Sequence, residues 1–168
     1  YFSLEMGKEA VMMRILSAES RVSMSEIRTG RVQDSSWPKL ISAASQLSES
    51  KLFIDDTSGI SPFEIRARCR RLKSQFGIDC IMIDYLQLMD LKQKVESRER
   101  AVSEISKTLK TIAKELGIPV IALAQLNRGV EGRSDRRPML SDLRESGSIE
   151  QDADVIMMLY RDDYYDKD

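Results

Sequence analysis

Four apolar runs, at residues 1–4, 80–83, 120–124 and 155–160, each end on a polar residue: Glu5, Asp84, Gln125 and Arg161. Between them the apolar spacing changes to threes and fours. Strand-like runs alternating with helical patterns argue an α/β domain with a mostly parallel sheet and helices on both faces. A shorter run at 52–54 adds a further strand. Strands buried on both faces read as continuous apolar runs, as 80–83 does. Ligands of such sheets gather beyond the carboxyl ends of the strands. Those polar residues are therefore the first place to look for chemistry.

The helical segments carry their own punctuation. Residues 9–18 place Val11, Met12, Ile15 and Leu16 at helical spacing. Ser23 and Glu26 resemble a capping box for a short helix stopped by Gly30. Residues 37–47 put Leu40, Ile41, Ala44 and Leu47 on one face. Ser61-Pro-Phe-Glu64 supplies an N-cap, a proline at the first helical position and a glutamate at the third. The helix after it should bury Ile65, Cys69, Leu72 and Phe76. A polar loop, 90–100, leads to a helix with Val102, Ile105, Leu109, Ile112 and Leu116 in phase, ended by Gly117 and Pro119.

With 168 residues the chain can bury one sizeable core, and no internal boundary divides it. Residues 1–168 read as a single domain. A net charge of −1 gives no global pull on nucleic acid, so any such site must be local. Cys69 and Cys80 both sit in apolar patterns and read as buried free thiols. With no histidine and no clustered cysteine, a zinc site is not expected. No secretory leader and no membrane-length apolar run is present, so the expected location is the cytoplasm, away from membranes. The chain opens inside an apolar run at Tyr1 and closes in a charged, tyrosine-rich stretch. Both ends are expected to be cuts in a longer protein.

Cys80-Ile-Met-Ile-Asp84 fits the Walker B pattern, an apolar strand whose terminal aspartate serves a magnesium ion on nucleotide phosphates. Alone the pattern is unspecific, because any buried strand can end in Asp. Many nucleotide hydrolases put a catalytic glutamate next; here Tyr85 stands there. The base must come from elsewhere, and Glu5 at a neighbouring strand end is the candidate for polarising an attacking water. Gln125 is placed to sense a γ-phosphate and relay its presence to the segment that follows.

Phe2-Ser-Leu-Glu-Met6, Ile83-Asp-Tyr-Leu-Gln-Leu-Met89, Ala124-Gln-Leu-Asn-Arg128 and the stretch from Ser141 to Asp154 with its Arg-Glu-Ser-Gly-Ser-Ile-Glu-Gln-Asp together resemble the C-terminal RecA-like ATPase domain of bacterial replicative DNA helicases of the DnaB type. The resemblance covers essentially the whole chain. It implies a RecA-like P-loop NTPase core using ATP and Mg²⁺, in a homohexamer that moves 5′ to 3′ on single-stranded DNA. Primase, a helicase loader and other replisome components are the implied partners. By motif match Glu5 is the catalytic glutamate, Asp84 the magnesium-linked Walker B aspartate and Gln125 the γ-phosphate-linked glutamine. Arg14 matches a nucleotide-reaching arginine; a merely solvated arginine is the alternative.

The resemblance also points to Arg144, Glu145 and Gly147 as phosphate contacts on DNA. Arg144 can give a charge-assisted bond, Gly147 allows close backbone approach, and the Glu145 carboxylate more plausibly orients Arg144. The preceding segment adds Arg128, Arg133, Arg136 and Arg137 against Glu131 and Asp135, a net of +2, with Arg128 and Arg133 the first choices for DNA. In the 90–100 loop, a net of +1 fits a pore loop or a plain surface loop equally.

No Gly-x-x-x-x-Gly-Lys-Ser/Thr spacing occurs among the eight glycines, so the phosphate cradle and its strand are missing from this sequence. The resemblance puts that loop just before Tyr1 and the arginine finger after Asp168, with Arg161 in neither role. The 168 residues alone are therefore expected to be inactive. Two other readings stay open: a recombinase- or clock-type RecA-fold ATPase that does not unwind, and a non-catalytic docking fragment. The Arg144–Gly147 stretch favours the helicase.

Overall fold

The computed structural model describes residues 1–92, 95–146 and 148–165, and for 144–146, 163 and 165 the backbone alone. Three strands form its parallel sheet in the order β1-β2-β3: β1 (Phe2–Ser3), β2 (Ile81–Asp84) and β3 (Val120–Ala122). Register sets Ser3 opposite Asp84 and Ile83 opposite Ala122. Parallel neighbours need long crossovers. The first runs through α1 (Lys8–Ser20), α2 (Met24–Thr29), α3 (Trp37–Glu49) and α4 (Pro62–Phe76), the second through α5 (Arg98–Leu116).

Helix starts follow the local chemistry. The capping box of α4 is complete: Ser61 Oγ accepts from the Glu64 N–H at 3.3 Å and Glu64 Oε2 accepts from the Ser61 N–H at 3.0 Å. The Ser61 N–H first, then Lys92 Nζ at 2.9 Å, pull the Glu64 carboxyl down to about 2. For α5, Ser97 Oγ accepts the Arg100 N–H. Gly77 and Gly117 end α4 and α5 at φ of 69° and 60°, the left-handed turn that glycine adopts without a Cβ clash. Ser23 caps α2 through Ser25 N–H rather than the expected Glu26 N–H.

The main core lies between β1, β2, α4 and α5. Ile65, Ile83 and Ile112 are fully buried there, with Phe2, Cys69, Ile81, Val102, Ile105 and Leu109 around them. Glu115 of α5 receives both Arg66 (2.6 Å) and Arg70 (3.2 Å) of α4 and ties the two helices at their surface. A smaller cluster joins α1, α2 and α3 through Val11, Val22, Leu40 and Ala43.

Several expectations are corrected. The strand at 52–54 reduces to one bridge, Phe2 to Asp55. Main-chain bonds to residues 1–3 come from the Phe53 carbonyl and from both main-chain groups of Asp55, and there Asp55 Oδ1 accepts the Thr57 N–H and the chain turns away. On α3 the inward stripe is Leu40, Ala43 and Leu47; Ile41 and Ala44 face out. Phe76 lies at the rim, its ring 4.9 Å from that of Phe53, rather than in the core. Along β2, Ile81 and Ile83 are buried but Met82 is 38% exposed, so the strand is covered on one face only. Cys80 is likewise exposed; only Cys69 is a buried thiol, pushed up to about 11 by burial.

The expected strand at 155–160 does not form. The segment alternates in burial with a period of two, yet no strand among the described residues pairs with it. Without a ladder its Val155, Met157 and Leu159 stand 74–80% exposed. Beyond the sheet the chain adds the short helices α6 (Ile149–Asp152) and α7 (Asp162–Tyr165). Among the described residues no helix is long and apolar enough to cross a membrane.

Candidate nucleotide site at the strand ends

The parallel register brings the ends of β1, β2 and β3 to one edge. Leu4 N–H donates to the Asp84 carbonyl at 2.7 Å, the last rung between β1 and β2. Ser3 Oγ then donates to the Met6 carbonyl at 2.6 Å and bends the chain, leaving Glu5 exposed at the rim. Gly7 follows, and its carbonyl starts α1 by accepting the Ala10 and Val11 N–H groups. Asp56 Oδ2 accepts the Lys8 N–H at 3.0 Å, placing negative charge at the positive end of that helix.

Asp84 is half-buried at the end of β2, and its peptide bond to Tyr85 is cis. Tyr1 Oη donates to Asp84 Oδ2 at 2.9 Å. Burial first, then this bond and the carboxylate charge, push the Tyr1 hydroxyl up to about 12, so it remains a donor at neutral pH. The positive charge of Arg14, exposed on α1, acts on the same hydroxyl in the opposite sense.

Just past β3, Leu123 N–H donates to the Ile83 carbonyl and Leu86 N–H to the Leu123 carbonyl, both at 2.9 Å. Gln125 comes two residues later and is exposed. Its main chain meets the side chain of Gln87, from the 3-10 turn Leu86–Leu88. Gln125 also borders a cleft of about 600 Å³, shared with Asn127, Arg128, Arg136, Tyr160 and Arg161.

The arginine-rich segment is folded onto its neighbours. Asp142 is buried in the 3-10 stretch Leu140–Ser146. Its carboxylate accepts from Arg133 Nη2 and, at 2.7 Å, from the Met139 N–H, and these hold it below the usual carboxylate range. The Asp142 carbonyl accepts the Asn127 N–H at 3.0 Å. Arg137 stacks over Tyr160 with its guanidinium carbon 5.0 Å from the ring centre and pairs with Asp162 at 3.8 Å. Arg128 is exposed on the 3-10 turn Arg128–Gly132. Gly147 lies outside the described residues, as do the side chains of Arg144 and Glu145.

The structure thus brings Glu5, Asp84 and Gln125 to one sheet edge, with Arg14 exposed on the helix that follows β1. Sequence reasoning missed Tyr1, Gln87 and Asp142. Tyr1 was legible in principle, since it shares the face of Ser3 at a period of two and Ser3 is opposite Asp84. The partners of Gln87 and Asp142 depend on tertiary placement.

Among the described residues no three Cys, Asp, Glu or His groups converge as a metal cage. Magnesium on nucleotide phosphates asks for one or two carboxylates and takes its other ligands from phosphate and water. Asp84, with one oxygen turned to Tyr1, fits that demand as the one carboxylate.

Comparison with known proteins gives the family and the fold. The family model of the DnaB-like helicase C terminal domain matches residues 1–168. Replicative DNA helicase DnaC of Bacillus subtilis (strain 168) is 56% identical over 168 residues, which cover 99% of this chain and 37% of that protein. Replicative DNA helicase DnaB of Leifsonia xyli subsp. xyli is 52% identical, across 100% of this chain and 37% of its own length. A solved structure of an ATPase domain superposes with a TM-score of 0.94 at 45% identity, covering 99% of this chain and 60% of that one. A solved DnaB-like replicative helicase, described with its interactions with primase, gives the same score and identity over 41% of its length. The chain belongs to the DnaB-like helicase C-terminal domain family, and its fold is RecA-like. It spans a little over a third of these curated relatives.

Proposed function

We propose that this chain is the motor portion of a replicative DNA helicase that couples ATP hydrolysis to 5′–3′ movement on single-stranded DNA and to duplex unwinding. The observation that carries this reading is the convergence of Glu5, Asp84 and Gln125 at adjacent parallel strand ends in a chain of this family. Glu5 acts as the base that orients and polarises the attacking water. Asp84, steadied by Tyr1, holds the magnesium side of the nucleotide. Magnesium, when bound, neutralises charge on the phosphates. Gln125 contacts the γ-phosphate end and Arg14 adds positive charge beside it.

Arg144 and the Gly147 backbone track DNA phosphates, with Glu145 orienting Arg144 and Arg128 at the edge of the same track. Arg133 contributes by bracing the segment through Asp142. Phosphate contacts carry no sequence information, which suits a motor that must cross any sequence. The working assembly is a cytoplasmic homohexamer using ATP and Mg²⁺, with primase, a loader and other replisome components as partners. Residues 1–168 act as one domain within it. The phosphate cradle and the arginine finger come from other parts of the protein, so the isolated polypeptide is inactive.

Single-strand binding by the full-length protein tests the reading. Affinity should fall steeply between about 50 and 200 mM salt, and Arg144→Ala should weaken binding and flatten the salt slope by about one unit. An unchanged affinity and slope in Arg144→Ala would remove the pore assignment.

A further inference from the structure

Where β2 ends, its chain leaves the sheet through the turn Leu86–Leu88 while the chain of β3 runs on. Main-chain pairing between the two stops at Leu123. Gln125, which the proposed function sets at the γ-phosphate, therefore has no strand of β2 beside it. Gln87 takes that place. Its Oε1 accepts the Gln125 N–H at 3.2 Å and its Nε2 donates to the Gln125 carbonyl at 3.1 Å. One carboxamide thus matches both main-chain groups of one residue, which is how an antiparallel strand partner pairs. Two bonds fix the orientation of the Gln125 backbone as well as its position, and so the direction in which its side chain leaves.

The base of this clamp is firm. Leu86, beside Gln87, is buried in the main core, and its own N–H is bonded to Leu123. The turn that carries Gln87 begins directly after Asp84-Tyr85. On the far side, Asn127 N–H is bonded to the Asp142 carbonyl, and the Asp142 carboxylate holds Arg133 and the Met139 N–H. An unbroken set of hydrogen bonds and short chain links therefore joins the end of β2 to the stretch Leu140–Ser146.

We propose that Gln87 is a positioning residue: it locks the Gln125 main chain to the Asp84-bearing turn, so that events at the nucleotide edge move the 127–146 segment. The inference rests on the reading of Glu5, Asp84 and Gln125 given under the proposed function. Gln87 itself contacts neither nucleotide nor DNA in this role. A residue that only tidied the sheet edge would affect stability and leave the coupling between nucleotide and DNA untouched.

The test uses the full-length protein. Gln87→Met removes both bonds and keeps the length of the side chain. Gln87→Glu keeps the acceptor for the Gln125 N–H and sets a carboxylate oxygen against the Gln125 carbonyl. ATP turnover is measured with and without single-stranded DNA, together with the affinity for a fluorescent ADP analogue and the thermal midpoint. The ratio of DNA-stimulated to unstimulated turnover should fall about tenfold in both variants, the scale of coupling between two sites. ADP affinity should stay within about twofold of wild type. A lowered thermal midpoint with an unchanged ratio overturns the proposal, as does an equal loss of stimulated and unstimulated turnover. If Gln87→Met does not fold, Gln87→Glu carries the test. Glu5→Gln is run beside them: wild-type turnover indifferent to Glu5→Gln removes the underlying site reading. Turnover lost in Glu5→Gln with a normal ratio in Gln87→Met removes only the role of Gln87.

Discussion

The two halves of the molecule treat equally apolar sequence in opposite ways. Around β2, α4 and α5 the residues Ile65, Ile83 and Ile112 have no exposed surface, and caps and ion pairs finish the edges. Beyond β3, the run 155–160 is just as apolar, yet Val155, Met157 and Leu159 are largely in solvent. Ile121 and Leu123 of the β3 run are exposed too. An apolar run states that a segment has surface to hide; only a neighbour of matching shape and free main-chain groups decides whether it hides it. The packed half also carries Asp84, which leaves the core at the end of a strand whose Ile81 and Ile83 are buried.

Stability measurements put this contrast to the test. Ile112→Ala in the packed half should lower the unfolding free energy by about 3 kcal/mol, because deletion leaves a cavity between helix and sheet. Met157→Ala in the open half should stay within about 0.5 kcal/mol. Urea unfolding of the two variants checks both numbers, and equal losses would mean that 155–160 is packed in solution.

A smaller effect is expected at the junction of core and site. Tyr1→Phe removes the single bond to Asp84 Oδ2, worth about 1 kcal/mol at a partly exposed position. The magnesium concentration for half-maximal ATP turnover of the full-length protein should rise about fivefold, with less change in the maximal rate. An unaltered magnesium midpoint would mean that Tyr1 does not steady Asp84.

The smallest effect is at the α4 cap. The Glu64 carboxyl is held at about 2, below its ordinary value of 4.5. A depressed carboxyl contributes stability that is fully present above the ordinary value and is lost as pH falls through the folded one. Acid titration of stability should therefore show a Glu64 contribution fading between about pH 4.5 and 2, and Glu64→Gln should flatten that part of the curve. A curve unchanged by the substitution would show that the cap does not persist in solution.

Much of this was readable before the fold was known. Ser61 to Glu64 announced α4, the spacing of Val102 to Ile112 announced α5, and the polar residues closing the apolar runs marked the edge where Glu5, Asp84 and Gln125 meet. The failures have one physical origin. Whether 52–54 or 155–160 becomes a strand, and which face of β2 is covered, depends on what lies alongside, and periodicity is silent on that. The Gln87 clamp and the Asp142 anchor are likewise invisible locally, because their partners lie 38 residues away and nine residues away in sequence. The ion pair of Arg133 with Asp142 shows the same limit, since charge alone does not reveal a partner nine residues on.

The proposed function stands or falls on Glu5, two residues past the end of β1, as the catalytic base of an ATP-driven motor. The measurement that decides it is DNA-stimulated ATP hydrolysis by the full-length protein and its Glu5→Gln variant, with the isolated 168-residue polypeptide in parallel. Glu5→Gln should lower turnover by about a hundredfold to ten-thousandfold while ADP still binds, and the isolated polypeptide should not exceed a buffer blank. Turnover within a few-fold of wild type in Glu5→Gln would refute that role, whereas Glu5-dependent turnover by the isolated polypeptide would refute only its expected inactivity.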